Sequence, residues 1–200
     1  MKKRYPRLAI CVLASILLVS DMSEVAADTP YFGFYPSTMG REFKLFKHNI
    51  LGFSIDIPAS WTFGVFGKPP LTVALVYPEG LNTGIISENY EMIEIGQLPL
   101  LNINLQQAKD IVILGIHTRR KNIEYVGDLI PTYVYNTDTI RWKYSWRSKS
   151  GILLIEDISL IKFGDRIRSV TVRATKNKYD KQLGFYEPIA SSFRPFDPTY

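Results

Sequence analysis

The side chains that could do acid–base or metal chemistry in this chain are few and scattered. His48 and His117 are the only two histidines among 200 residues. No His-x-x-x-His pair or comparable ligand spacing surrounds either one, so the metal-ligand pattern is missing. Ser54 and Ser60 lie outside any Gly-x-Ser-x-Gly turn, and a serine nucleophile would have to take its base from one of those histidines. Glu88, Glu91 and Glu94 recur at every third position, but the surrounding Ile, Tyr and Met pattern favours a strand that scatters them. Glu156 and Asp157 are neighbours, which on a strand sends them to opposite faces and prevents a working carboxylate pair. The dinucleotide glycine fingerprint and the phosphate-loop signature are both absent. These patterns lead to an expectation of no catalytic residue, no metal and no cofactor. His48 is expected in a hairpin turn and His117 at a helix end.

Binding chemistry has a stronger signal. From Thr139 to Trp146 the chain alternates, with Ile140, Trp142, Tyr144 and Trp146 on one face and Arg141, Lys143, Ser145 and Arg147 on the other. Lys149 falls in the turn that follows, and Lys162, Arg166 and Arg168 fall on the next strands or their turn. The expected partner-binding set is Arg141, Lys143, Arg147, Lys149, Arg166 and Arg168, forming one positive patch for an anionic partner or membrane surface. The competing interpretation is the solvated face of a sheet, since the net charge is small. Trp142 and Trp146 are expected to be core.

The elements that must position these residues follow from periodicity. Phe43 to Lys47 and Phe53 to Ile57 form a hairpin ended by Pro58, which cannot donate to a ladder. Val65–Phe66, Leu71–Tyr77 and Ile85–Ile95 are further strands. Leu105, Ala108, Ile111, Val112 and Ile116 recur at helical spacing over residues 104–120, with Asn102 or Asn104 as the cap. Strands at 139–146, 152–161 and 166–174, joined by short turns, make an antiparallel meander. Residues 176–192 form a closing helix.

The N-terminus speaks to location. Lys2, Lys3, Arg4 and Arg7 precede an apolar run from Leu8 to Ser20, and Val25-Ala26-Ala27 offers small residues for cleavage. That is the pattern of a secretory signal peptide, with a run shorter than the roughly 20 residues of a membrane span. Cleavage would remove Cys11, the only cysteine, and lower the net charge from +5 to +3. The expected division is a signal peptide at 1–27, an irregular aromatic arm at 28–42, one domain at 43–195 and a tail at 196–200. The partners expected are a protein or an anionic envelope component, with peripheral membrane contact allowed. Nucleic acid is not expected, because the dense Lys/Arg footprint is missing.

Gly52-Phe53-Ser54-Ile55-Asp56-Ile57-Pro58-Ala59-Ser60-Trp61 resembles the opening of PsbP-like domains, and Ile189-Ala190-Ser191-Ser192-Phe193 is similar to their final helix. The resemblance spans residues 43–195. It implies an α+β fold, an α/β/α sandwich around a central antiparallel sheet, and no shared catalytic residues. It further implies an accessory, binding or chaperone-like role; together with the export signal, the expectation is an exported, non-catalytic binding or accessory protein of the cell envelope, periplasmic or secreted. Two alternatives accompany it: a chaperone or carrier for apolar segments or lipids, and a hydrolase using His48 or His117.

Overall fold

Alternation of apolar and polar residues builds the first hairpin where it is expected. The computed structural model describes residues 32–36, 39–40, 42–66, 73–79, 91–98, 102–120, 122–129 and 137–198. Strands β2 (Phe43–His48) and β3 (Phe53–Pro58) follow β1 (Phe32–Pro36), and the β2–β3 register runs from Phe43 opposite Pro58 to His48 opposite Phe53. The turn closes through Gly52, whose N–H donates to the His48 carbonyl at 2.9 Å. Residues 32–36, expected to be irregular, instead pair with β2, Phe32 opposite His48 through Pro36 opposite Lys44. The run lacks alternation because it is an edge strand, and pairing rather than pattern makes it a strand. Pro36 is tolerated at its end, where no ladder donor is needed. A short β11 (Arg194–Pro195) pairs with the other side of β3, completing a sheet of order β1-β2-β3-β11.

The chain leaves this sheet at Pro58 and enters a second one at Trp61. The second sheet contains β4 (Trp61–Phe66), β5 (Val73–Pro78), β6 (Met92–Leu98), β7 (Glu124–Leu129), β8 (Thr139–Arg147), β9 (Leu153–Phe163) and β10 (Arg166–Thr175). Their spatial order is β4-β5-β6-β10-β9-β8-β7, and every pairing is antiparallel. The expected meander is present as β8, β9 and β10. The single central sheet expected is in fact two sheets, with the Pro58-Ala59-Ser60-Trp61 stretch as the corner between them. Of the strand expected at 85–95, residues 85–90 lie outside the described residues, as does the signal-peptide stretch.

Helix α1 (Leu105–Arg119) forms as expected and is capped by Asn104, not Asn102. Asn104 Oδ1 accepts from Gln107 N–H at 2.8 Å, and Gln107 Oε1 accepts from Asn104 N–H at 3.0 Å. This reciprocal box satisfies two donors that the first helical turn leaves open. The closing segment is two helices, not one: α2 (Lys176–Lys181) and α3 (Leu183–Ser191) meet at Gln182. Thr175 caps α2, its hydroxyl accepting from Lys178 N–H at 3.4 Å.

Successive residues of β8, β9 and β10 point to opposite faces of the large sheet. On one face Leu105, Ala108, Val112 and Ile116 of α1 pack with Trp142, Tyr144, Trp146, Leu154, Ile158 and Leu160. On the other, Tyr179, Tyr186, Ile189 and Phe193 pack with Ile155, Val170 and Val172, and with Phe46, Phe53 and Ile55 of the small sheet. Two cores therefore flank the large sheet. The result is a sheet-rich α+β fold.

Candidate functional site

Burial on both faces decides what becomes of the charged residues of the meander. Arg141 projects toward α2 and α3, where it is 4 % exposed. Its Nε donates to Asp157 Oδ1 at 2.8 Å and its Nη2 to Oδ2 at 2.5 Å. Tyr179 of α2 donates its hydroxyl to the same Asp157 Oδ2 at 2.6 Å, and Arg141 Nη1 reaches Glu187 of α3 at 3.3 Å. Burial, reinforced by the Asp157 charge, pushes the Tyr179 hydroxyl well above the ordinary tyrosine range, so it stays a donor. Lys143, partly buried, lies 5.5 Å from the Tyr179 ring centroid. This network pins α2 and α3 to the sheet.

The expected single positive patch is therefore not formed. Arg141 and Arg168 are both buried, the latter 2 % exposed, and neither offers a surface to a partner. Arg147 and Lys149 are exposed at the β8–β9 turn. Arg166 is partly exposed at the β9–β10 turn, 3.7 Å from Asp165. Those turns close opposite ends of the 11-residue strand β9, roughly 33 Å apart at strand rise. A row of cations reads as a solvated face only while nothing covers it. The available clue was Asp157, which shares the face of Arg141 one strand away.

The opposite face carries a second charged network. Met92, Arg173, Glu156, Tyr144 and Tyr125 stand directly opposite one another in five consecutive strands, from β6 to β7. Glu156 accepts from Arg173 Nε at 2.7 Å, from Trp146 Nε1 at 3.2 Å and from the Tyr144 hydroxyl. Arg120, just past α1, stacks on Trp146 with its guanidinium carbon 3.6 Å from the ring centroid, and its Nη2 is 3.6 Å from Glu156. Glu94 lies in the same corner, and burial raises its pKa despite the Arg173 charge. Glu156 and Asp157 thus serve separate networks on separate faces, as their adjacency requires.

The two histidines lie in contrasting surroundings. His48 is 2 % exposed, at the end of β2 and not in the turn, and its Nδ1 accepts from Leu51 N–H at 3.2 Å. Its ring packs 5.8 Å from Phe53 and 6.3 Å from Phe46. Burial, with Arg168 nearby, lowers its pKa to about 4. His117 is exposed near the end of α1. Among the described residues, no three His, Cys, Asp or Glu side chains are grouped to hold a metal ion.

Among the described residues, an exposed stretch lies along β7, the last strand of the large sheet. Glu124, Tyr125, Val126 and Asp128 are all exposed, Tyr125 and Val126 about half so at 52 % and 51 %. Asp128 is held by Lys109 of α1 and by the Tyr125 hydroxyl, hydrogen bonds that lower its pKa. The β7–β8 register slips between Tyr125 and Gly127, leaving Val126 as a bulge. That slip hides the strand from a period-of-two reading, which is why sequence reasoning passed over it. Glu124 stands opposite Ser145, so Arg147, Lys149 and the exposed Ile152 lie just beyond this end of the edge.

The geometry of two sheets and two cores has counterparts among solved structures. The fold is PsbP-like. The solution structure of cyanobacterial PsbP from Synechocystis matches with a TM-score of 0.54 at 10% identity, covering 88% of this chain and 98% of that one. A Pseudomonas aeruginosa protein of unknown function matches with a TM-score of 0.47 at 10% identity, covering 84% and 99%. LpqN of Mycobacterium tuberculosis, described as involved in cell envelope biogenesis, matches with a TM-score of 0.45 at 10% identity, covering 87% and 98%. No family model and no curated protein matches the sequence. In the PsbP-like frame of this chain, the Pro58-to-Trp61 corner joins the sheets and Phe193 closes the core between them, stacked at 5.6 Å on Phe53.

Proposed function

We propose that this chain is an exported accessory protein of the cell envelope that acts by binding, on a PsbP-like α/β/α sandwich frame. In that frame α1 forms one outer layer and α2 with α3 the other, around the large antiparallel sheet. Export is supported by the basic, apolar and small-residue succession of residues 1–27. The observation that carries the binding role is the division of charge. The interior ions Arg141, Asp157, Glu156 and Arg173 hold the fold together, whereas Arg147 and Lys149 stay exposed beside an aromatic sheet edge.

The binding surface of this reading is smaller than the six-residue patch and sits at the β8–β9 turn with β7. Arg147 and Lys149 supply charge, and Tyr125, Val126 and Ile152 supply apolar area. The carrier alternative would need a sheet face that can take an apolar ligand, and the Trp142 and Trp146 face is buried beneath α1.

The test is the double reversal Arg147→Glu with Lys149→Glu in the purified protein. Both side chains are exposed, so thermal stability should change little. Capture of partners from an envelope extract at low salt should fall several-fold, and added salt should erase the difference. Undiminished capture by the reversed protein would remove the electrostatic surface from this reading.

A further inference from the structure

We infer that His48 is an acid-operated latch, whose protonation opens the β2–β3 turn and releases the C-terminal residues 194–198 from the small sheet. This latch is independent of the binding surface at the β8–β9 turn. A neutral imidazole has one accepting nitrogen, and in His48 that nitrogen, Nδ1, takes the Leu51 N–H at 3.2 Å. An imidazolium carries a proton on both nitrogens and accepts nothing. Protonation therefore sets Nδ1–H against Leu51 N–H, two donors facing each other inside the turn. The ring is 2 % exposed, so water cannot relieve the new charge while the turn stays closed.

The groups around the ring strengthen the trigger. Phe46 of β2 and Phe53 of β3 pack against it and bring no counter-charge. Arg168 of β10 faces it, and that charge opposes a second cation. Lys44 shares the His48 face of β2, four residues away, and is a cation too. Lys47, Asp56 and Arg194 take the opposite face of the small sheet by alternation. What the turn holds is slight. Strand β11 pairs with β3 at two positions, Arg194 opposite Ser54 and Pro195 opposite Phe53. Phe196 N–H then donates to the Gly52 carbonyl at 2.8 Å, and Lys47 Nζ lies 5.1 Å from the Phe196 ring centroid. These contacts fall on the turn or on the residues flanking it, so a turn that opens lets the segment go. Release leaves the β3 edge at Phe53 and Ser54 open to solvent.

Residue-resolved amide hydrogen exchange on the full chain, from pH 7 to 4 and corrected for the intrinsic effect of pH on exchange, tests the latch. The closed form resists the proton until about pH 4, whereas an opened ring takes it near 6.5. Protection of the Leu51, Gly52 and Phe196 amides should therefore fall together, about tenfold per pH unit below 6.5 and up to about 300-fold at pH 4. A local release exposes little surface, so exchange at these three amides should scarcely respond to about 1 M urea. The slowest amides of β9 and β10 open only with the whole domain, and should be better protected and respond to urea. His48→Gln offers Leu51 N–H an acceptor that does not titrate, and should flatten the pH profile of all three amides. Protection of Leu51, Gly52 and Phe196 that does not change with pH would overturn the latch. Protection and urea response equal to those of β9 and β10 would overturn it as well, since the turn would then open only by global unfolding. A His48→Gln profile as steep as the native one would assign the trigger to another group. If that variant does not fold, the pH and urea profiles of the native chain decide alone.

Discussion

Arg141 holds Asp157 with two parallel hydrogen bonds, Nε to Oδ1 at 2.8 Å and Nη2 to Oδ2 at 2.5 Å, with both side chains almost sealed from solvent. The pair joins β8 to β9 and, through Tyr179 and Glu187, joins both strands to the closing helices. Removing one partner strands a buried charge. Asp157→Ala is therefore expected to cost about 3–5 kcal/mol in urea unfolding. Replacing both partners, Arg141→Met with Asp157→Leu, should recover much of that loss, because two apolar groups leave no charge behind. A single-variant loss below about 1 kcal/mol would show that the pair does not pin the helices.

His48 makes stability depend on acid. Its pKa falls from 6.5 in the open chain to about 4 in the fold. Between those values the unfolded state takes up the proton and the folded state resists it. Stability from neutral His48 is complete above about pH 6.5 and declines as the pH falls toward 4, by on the order of 3 kcal/mol. Urea midpoints measured from pH 7.5 to 4 should therefore fall more steeply for the native chain than for His48→Gln. Parallel curves would mean that His48 titrates as it does in the open chain.

Gly52 tests how tightly the C-terminal segment closes on the first hairpin. A Cβ there would sit 2.3 Å from the Phe196 carbonyl oxygen, at a φ of +65°. Phe196 N–H also donates to the Gly52 carbonyl at 2.8 Å, so the two backbones cannot separate without losing a bond. Gly52→Ala should cost more than about 2 kcal/mol, combining left-handed strain with the clash. Gly164→Ala has similar φ, +60°, but meets nothing within 4 Å, and should cost only ~1 kcal/mol. Equal melting temperatures for the two variants would rule out the close approach.

The α1 cap is the simplest local test. Asn104→Ala deletes the acceptor for Gln107 N–H and should cost ~1 kcal/mol. Asn104→Asp keeps an acceptor and adds a charge that suits the helix N-terminus, so its midpoint should match or exceed the native one. Chemical denaturation of the three proteins separates these outcomes.

The sequence by itself determined the elements whose signals are local. The helical spacing of Leu105, Ala108, Val112 and Ile116, the alternation of β2 and β3, and the Trp142/Tyr144/Trp146 face were all legible, because one side-chain period encodes one buried face. The PsbP-like frame was legible too, since Pro58 and Trp61 mark the corner between sheets and Phe193 closes the core. Only the tertiary structure decided which charges face water. Arg141 and Lys143 alternate like solvated residues, yet α2 and α3 fold over them and bring Tyr179 and Glu187 as partners. His48 reads as a turn residue until the two sheets close around it. Strands β1 and β7 lack a regular period because an edge needs only one neighbour, and a bulge at Val126 shifts the rest. Burial of a polar side chain depends on residues distant in the chain, and no local pattern carries that information.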